Sequence, residues 1–336
     1  VTRLDDPGPA LTCSTGPDAA PEVLTPREVP LGGPRAMRVR RTLPQRERSL
    51  VGAWCFVDHY GPDPVAESGG MSVAPHPHTG LQTVSWLFTG EITHRDSAGH
   101  HARVRPGEVN LMTGGHGISH SEVSTPETEV LHGAQLWVAL PDHARDTAPG
   151  FQHYAPPALT GAGWTARVFL GSLLGSTSPV ATHTPLLGAE LVLEPGAVLD
   201  LPVESTFEHG VLVDSGEVRV DGTVGAAGEM VYLPPGRSRL EVTTDPAGDP
   251  PVATRLLLIG GTPLGESIVM WWNFVGRSHE EIAGFRQDWQ DQITNGGVVV
   301  GDGQDVADGR FGVVVGDHLP PIPAPELPNA RLRQRR

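Results

Sequence analysis

Two short pairs of residues in this chain have the types and spacing for metal chemistry. In APHPHTG, His76 and His78 flank Pro77; in GISHSEV, His120 and Glu122 flank Ser121. Side chains two residues apart on an extended strand point to the same face, so each pair presents two ligand atoms in one direction. Brought together, the pairs make a set of three imidazoles and one carboxylate. Such a set suits a divalent first-row transition metal, and the closest recurring pattern is the open non-haem iron site with its histidines and one carboxylate. No thiolate competes for the role, since Cys13 lies in a polar stretch and Cys55 in the apolar run GAWCFVDHYGP.

The elements that must position these pairs are short strands. Of 336 residues, 42 are Gly and 33 Pro, and aromatics are only 5 %; this punctuation favours strands joined by turns over long helices. LQTVSWLFTGEITHRD reads as two strands hinged at Gly90, VRPGEVNLMTGG as a strand between Gly107 and Gly114, and VLHGAQLWVALP as another. An internal echo organises them. PGEVNLMTGG at 106–115 aligns without a gap on AGEMVYLPPG at 227–236, Gly107 on Gly228 and Gly115 on Gly236, while FTGEI at 88–92 aligns on DSGEV at 214–218, Gly90 on Gly216. The offsets, 121 and 126, differ by a longer first-copy loop around HRDSAGHHAR. A repeat of this size is a domain, which points to a duplicated β-barrel.

Residues 1–30, polar and rich in Pro, Asp and Thr, read as a mobile N-terminal tail. Residues 31–170 read as the first, metal-binding barrel, 171–265 as the second, and 266–336 as a C-terminal helix and proline-rich extension. In the extension, Ser278 precedes Glu281 in a capping-box pattern and Ile282, Phe285 and Trp289 share one helical face. LPPIPAPELPNARLRQRR reads as an extended strap or a loose tail. The net charge of −15, from 39 acids against 24 bases, argues against nucleic acid as the main partner. Two cysteines make no disulfide framework and fit a reducing cytoplasm. No signal peptide is visible, and no apolar stretch approaches the roughly 18 residues of a membrane span. A soluble cytoplasmic protein is expected. His94, His100, His101 and His132 read as loop or strand-end histidines, with His101 and His116 the nearer to a pocket mouth. Asp58 and His59 read as a salt-linked pair, and Trp271 and Trp272 as packing residues.

HPHTG, the TGE turn and PGEVNLMTGGHGISHSE, with the lead-in VRRTLPQRERSLVGAWCFVDHYGP, resemble the pirin family of the cupin superfamily over roughly residues 25 to 336. The resemblance implies an all-β bicupin: two antiparallel double-stranded β-helix (cupin) barrels packed together, with a short C-terminal helix. It also implies a single metal in the N-terminal barrel, held by His76, His78, His120 and Glu122. Iron(II) is the expected ion, with Mn, Co, Ni, Cu and Zn as alternatives. In the second copy, Arg239 stands three past Gly236, where a cupin usually has a ligand histidine, and the upstream stretch offers only His209. One imidazole does not hold a metal, so that barrel is read as structural or as binding something else. Two departures stand out. Gln82, four past His78, replaces a glutamate, and His116 replaces what is often an arginine, which makes the site less negative and alters its entrance charge. The activity implied is dioxygenase cleavage of flavonols such as quercetin, with O2 as co-substrate and Glu122 as the catalytic general base. The alternative is a non-enzymatic iron-dependent regulator that binds a transcription factor or a metabolic enzyme; a zinc isomerase or hydrolase is a third. The expected partners are a small aromatic substrate and O2, or a protein on the regulatory reading, with no direct nucleic-acid binding, no membrane and a monomeric state.

Overall fold

The computed structural model describes residues 20–30, 37–246, 252–294 and 309–335. Alternation of apolar and polar residues makes half-buried strands, and Arg239–Thr243 shows it: Leu240 and Val242 point inward between exposed Arg239 and Glu241. Leu81–Thr89 and Val130–Ala139, by contrast, are buried along most of their length, so both of their faces are covered. One face looks into a barrel and the other into the seam between two barrels.

The first barrel pairs a small sheet with a large one. In the small sheet, Ser72–His78 lies beside Ile118–Ser124, then Ile92–Asp96, then His101–Val104. The second barrel repeats this order with Val198–Pro202, Arg239–Thr243, Glu217–Val220 and Thr223–Ala226. The large sheets agree as well. Val109–Thr113, Leu81–Thr89, Val130–Ala139, Trp54–Pro64 and Arg38–Leu43 run in the same lateral order as Met230–Leu233, Glu208–Ser215, Thr254–Gly261, Leu186–Leu193 and Trp164–Leu170. Even single turn bonds recur at the offsets of the sequence echo. Gly107 N–H donates to the Leu87 carbonyl and Gly228 N–H to that of Val213, and both glycines have positive φ (74° and 88°). The duplicated barrel is thus present, as expected.

Between the barrels lies a continuous apolar core in which Trp54, Trp86 and Leu136 from the first large sheet meet Phe169, Leu257 and Ile259 from the second. Trp86 stacks on Phe169 at 4.5 Å, and Trp54 Nε1 donates to the Gly260 carbonyl at 3.0 Å. Each buried aromatic or aliphatic side chain here stabilises the pairing by roughly 1.5–3 kcal/mol.

One segment differs from the sequence expectation. Within the stretch read as a mobile tail, Glu22–Leu24 pairs with Met230–Leu233 and Arg27–Pro30 with Arg38–Leu43, each satisfying an otherwise open sheet edge; residues 1–19 lie outside the described residues. The helix expected after Ser278 spans His279–Thr294 and buries Ile282 and Trp289. The proline-rich end is a strap laid on the protein. Ile322 N–H donates to the Pro75 carbonyl at 2.8 Å, and the Trp289 indole donates to the Ile322 carbonyl at 2.8 Å. Among the described residues, no helix is long and apolar enough to cross a membrane.

Candidate metal centre

The small sheet of the first barrel brings the two sequence pairs side by side. His120 stands opposite His76 across the strand pair, and Ile118 opposite His78. The register shifts between His120 and Glu122, a bulge that sets the carboxylate's place on the strand. The side chains of His76, His78 and His120 are buried, with ligand nitrogens all within 4.8 Å of one another. His78 Nε2 and His120 Nε2 are 3.0 Å apart. Glu122 falls within the same span of His120 and of a further histidine, His94.

The protonation pattern of this set suits a cation. His76 Nδ1 faces the Ala74 carbonyl at 2.9 Å and His78 Nδ1 the Asn273 carbonyl at 3.1 Å. A carbonyl only accepts, so each Nδ1 carries the proton and each Nε2 keeps a free lone pair. Burial works against charged imidazoles: it pushes His76 down to about 4, and His78 and His120 well below their usual range. Two imidazoles with Nε2 lone pairs, beside a third that burial keeps neutral, are donors for a divalent ion. Glu122 is raised by burial, with His94 and the Ser85 hydroxyl opposing. That hydroxyl sits 3.2 Å from Glu122 Oε1 and 3.0 Å from Gln135 Oε1, and can donate to one at a time. The donor set fits a metal ion.

A cavity of about 500 Å³ opens onto His76, His78, His120 and Glu122. Its walls include Phe56, Trp137 and Trp272, with Ile322 and Pro325 of the strap at one side. Phe56 and Trp137 are stacked at 4.0 Å, and the Arg41 guanidinium lies 4.3 Å over Phe56. Trp272 packs on Phe274 as expected and also lines the cavity, because the hairpin Val269–Trp271 and Phe274–Gly276 folds back over the first barrel. The two-residue turn of that hairpin needs positive φ, and Trp272 adopts 51°. Gly80, just past the histidine pair, lets the hairpin approach: a Cβ there would lie 2.2 Å from the Val275 carbonyl oxygen.

Other expectations fare differently. His94, read as unremarkable, is buried beside His120. The signal that could have found it is its register: on Ile92–Asp96 it stands directly opposite Glu122. His101 and His116 are exposed and stand outside the cavity wall. Gln82 is fully buried and donates to Thr113 Oγ1 at 3.0 Å. Asp58 and His59 are not a pair. Asp58 binds Arg41 through both oxygens at 2.6 Å, while His59 reaches across the seam to Asp214 at 2.7 Å, where His132 also arrives at 2.5 Å. Burial opposes the charged form of Asp214, but His132 and His59 outweigh it and hold its carboxyl below the usual range. The guanidiniums of Arg40 and Arg255 flank this cluster at 3.4 and 3.5 Å, so positive charge already surrounds it. It is a polar tie between the barrels.

Two packed copies of one antiparallel barrel, with an imidazole cluster inside the first, define a bicupin. The sequence profile described as Pirin matches residues 36–138 and the one described as Pirin C-terminal cupin domain matches 188–296, and the chain belongs to the pirin family. It is 41 % identical over 306 residues to a Pseudomonas aeruginosa protein named "Putative quercetin 2,3-dioxygenase", covering 91 % of this chain and 90 % of that protein. A pirin-like protein of Caulobacter vibrioides is 36 % identical over 261 residues, 75 % of this chain and 88 % of that one. Among solved structures, a quercetin 2,3-dioxygenase from Acinetobacter baumannii superposes with a TM-score of 0.81 at 37 % identity, covering 94 % and 97 % of the two chains.

Proposed function

We propose that this chain is a metal-dependent dioxygenase that cleaves flavonols such as quercetin with O2, at a mononuclear iron(II) site held by His76, His78, His120 and Glu122. The observation that carries this reading is the aromatic-walled cavity of about 500 Å³ ending on those four side chains. That size and lining suit a small planar ligand, and the named relatives point to the flavonol class. When bound, the ion supplies Lewis-acid activation and a common template for substrate and O2.

The protein's own residues do the rest. Phe56, Trp137 and Trp272 offer flat apolar faces that orient the substrate rings and exclude water. Glu122, buried and in reach of the Ser85 hydroxyl, takes the proton of the substrate hydroxyl as general base. His76 and His78 stay neutral and fixed in orientation by the Ala74 and Asn273 carbonyls. The test is metal analysis of freshly purified protein, followed by O2 uptake and loss of quercetin absorbance on iron-loaded protein. Turnover that disappears in Glu122→Gln supports the reading. Intact iron binding with no turnover over a flavonol panel contradicts it and favours the regulatory alternative.

A further inference from the structure

His120 presents its two nitrogens to two different neighbours. Nε2 lies 3.0 Å from His78 Nε2, inside the imidazole set, and Nδ1 lies 3.4 Å from His94 Nδ1. An imidazole that binds an ion through Nε2 carries its proton on Nδ1, and that N–H needs an acceptor. His76 and His78 each have a backbone carbonyl for this purpose. For His120 the facing group is the ring of His94, whose Nδ1 can accept only when its own proton sits on Nε2.

The far side of His94 meets that requirement. Its Nε2 is 3.2 Å from Asp96 Oδ2. Asp96 is a buried carboxylate fixed by the backbone N–H groups of Ala98 and His100, both 3.0 Å from Oδ1, and by His100 Nδ1 at 3.0 Å from Oδ2. An acceptor-only carboxylate draws the His94 proton to Nε2, which leaves His94 Nδ1 free to accept from His120. The strand register builds this chain: Asp96 stands opposite His120, and His94 opposite Glu122. Phe151 lies against both rings, 4.9 Å from that of His94 and 5.3 Å from that of His100.

We propose that His94 is a positioning residue for the metal centre, relaying the charge of Asp96 to His120 so that the His120 Nε2 lone pair is held toward the ion. This rests on the metal-centre reading above. The geometry also admits a competing role, since His94, His120 and Glu122 fall within 4.8 Å of one another and His94 could ligate directly. Glutamine separates the two roles. In His94→Gln the amide oxygen can accept from His120 and the amide N–H can donate to Asp96, so the relay survives but an imidazole ligand does not.

The experiment is Co²⁺ affinity of the full chain, measured by competition with a chromophoric chelator, with thermal unfolding of the metal-free variants as a check on folding. His94→Leu is expected to weaken Co²⁺ about 10–100-fold while His94→Gln stays within about 3-fold of the parent chain. Asp96→Asn, a near-isosteric change, is expected to weaken it about 10-fold and stands in should His94→Leu not fold. Equal loss in His94→Gln and His94→Leu overturns the relay in favour of direct ligation, and unchanged affinity in His94→Leu or Asp96→Asn overturns it outright. A parent chain that binds no Co²⁺ overturns the metal-centre reading and the relay with it; binding by the parent with no effect of the variants overturns the relay alone.

Discussion

The two barrels share strand order, turn bonds and seam, yet their interiors are opposites. In the first, the small sheet turns His76, His78, His94, His120 and Glu122 inward. In the second, the same sheet turns in Leu201, Val218, Val220, Leu240 and Val242, and the one buried imidazole, His209, has no hydrogen-bond partner on either nitrogen among the described residues. Arg239, read from the sequence as standing where a ligand would be, points outward and binds Asp200. The scaffold is therefore specified by glycine turns and alternation, which tolerate either interior. The chemistry depends on what faces inward and on what reaches in from outside. The first barrel receives such help, from the Asn273 carbonyl behind His78 and from Trp272, Ile322 and Pro325 along the cavity wall.

The largest expected contrast is in turnover. Glu122→Gln should lower quercetin consumption about 10²–10⁴-fold under saturating iron, whereas His209→Leu should leave it unchanged; equal losses would erase the distinction between the barrels. The seam comes next. Asp214→Ala strands His59, His132 and Arg255 without their shared carboxylate, and urea denaturation should show a loss of about 3–5 kcal/mol. A loss under 1 kcal/mol, roughly the worth of an exposed pair, would mean that the tie is not coupling the barrels.

His209 sharpens the comparison through pH. Burial pushes its imidazole down from 6.5 to about 4, so between those values the unfolded chain binds a proton that the folded chain refuses. Stability present above pH 6.5 is lost as pH falls toward 4. Removing the group in His209→Leu should shrink the difference in unfolding free energy between neutral and mildly acidic buffer by about 2–3 kcal/mol. An identical pH slope in parent and variant would contradict this. The smallest effect is expected at the cavity wall: Trp272→Ala should raise KM for quercetin about 10-fold, near 1.4 kcal/mol, with kcat little changed. An unaltered KM would remove Trp272 from the substrate-contacting surface.

Much of this was legible in the residues, for local reasons. His-x-His and His-x-Glu work because the strand period is two, and the duplication shows because turns with positive φ demand glycine at Gly90, Gly107, Gly216 and Gly228. What escaped depends on contacts between distant segments. His94 has no local motif; its place follows from the register of Ile92–Asp96 against Ile118–Ser124. Trp272 sits nearly two hundred residues from His78 and joins the site through a hairpin packed on Gly80. The edge strand Glu22–Leu24 is only three residues long, too short for a periodic pattern, so nothing separates it from a tail until Met230–Leu233 offers it a partner. The tie at Asp214 assembles from three elements and two barrels, and no spacing rule reaches that far.

The central claim is that one ion sits in the first barrel and none in the second. Metal content per chain, measured on freshly purified parent protein, on the His76→Ala/His120→Ala double variant and on His209→Leu, tests it most directly. The account predicts one equivalent in the parent and in His209→Leu, and background in the double variant. Full content retained by the double variant, or lost from His209→Leu with the fold intact, would contradict it.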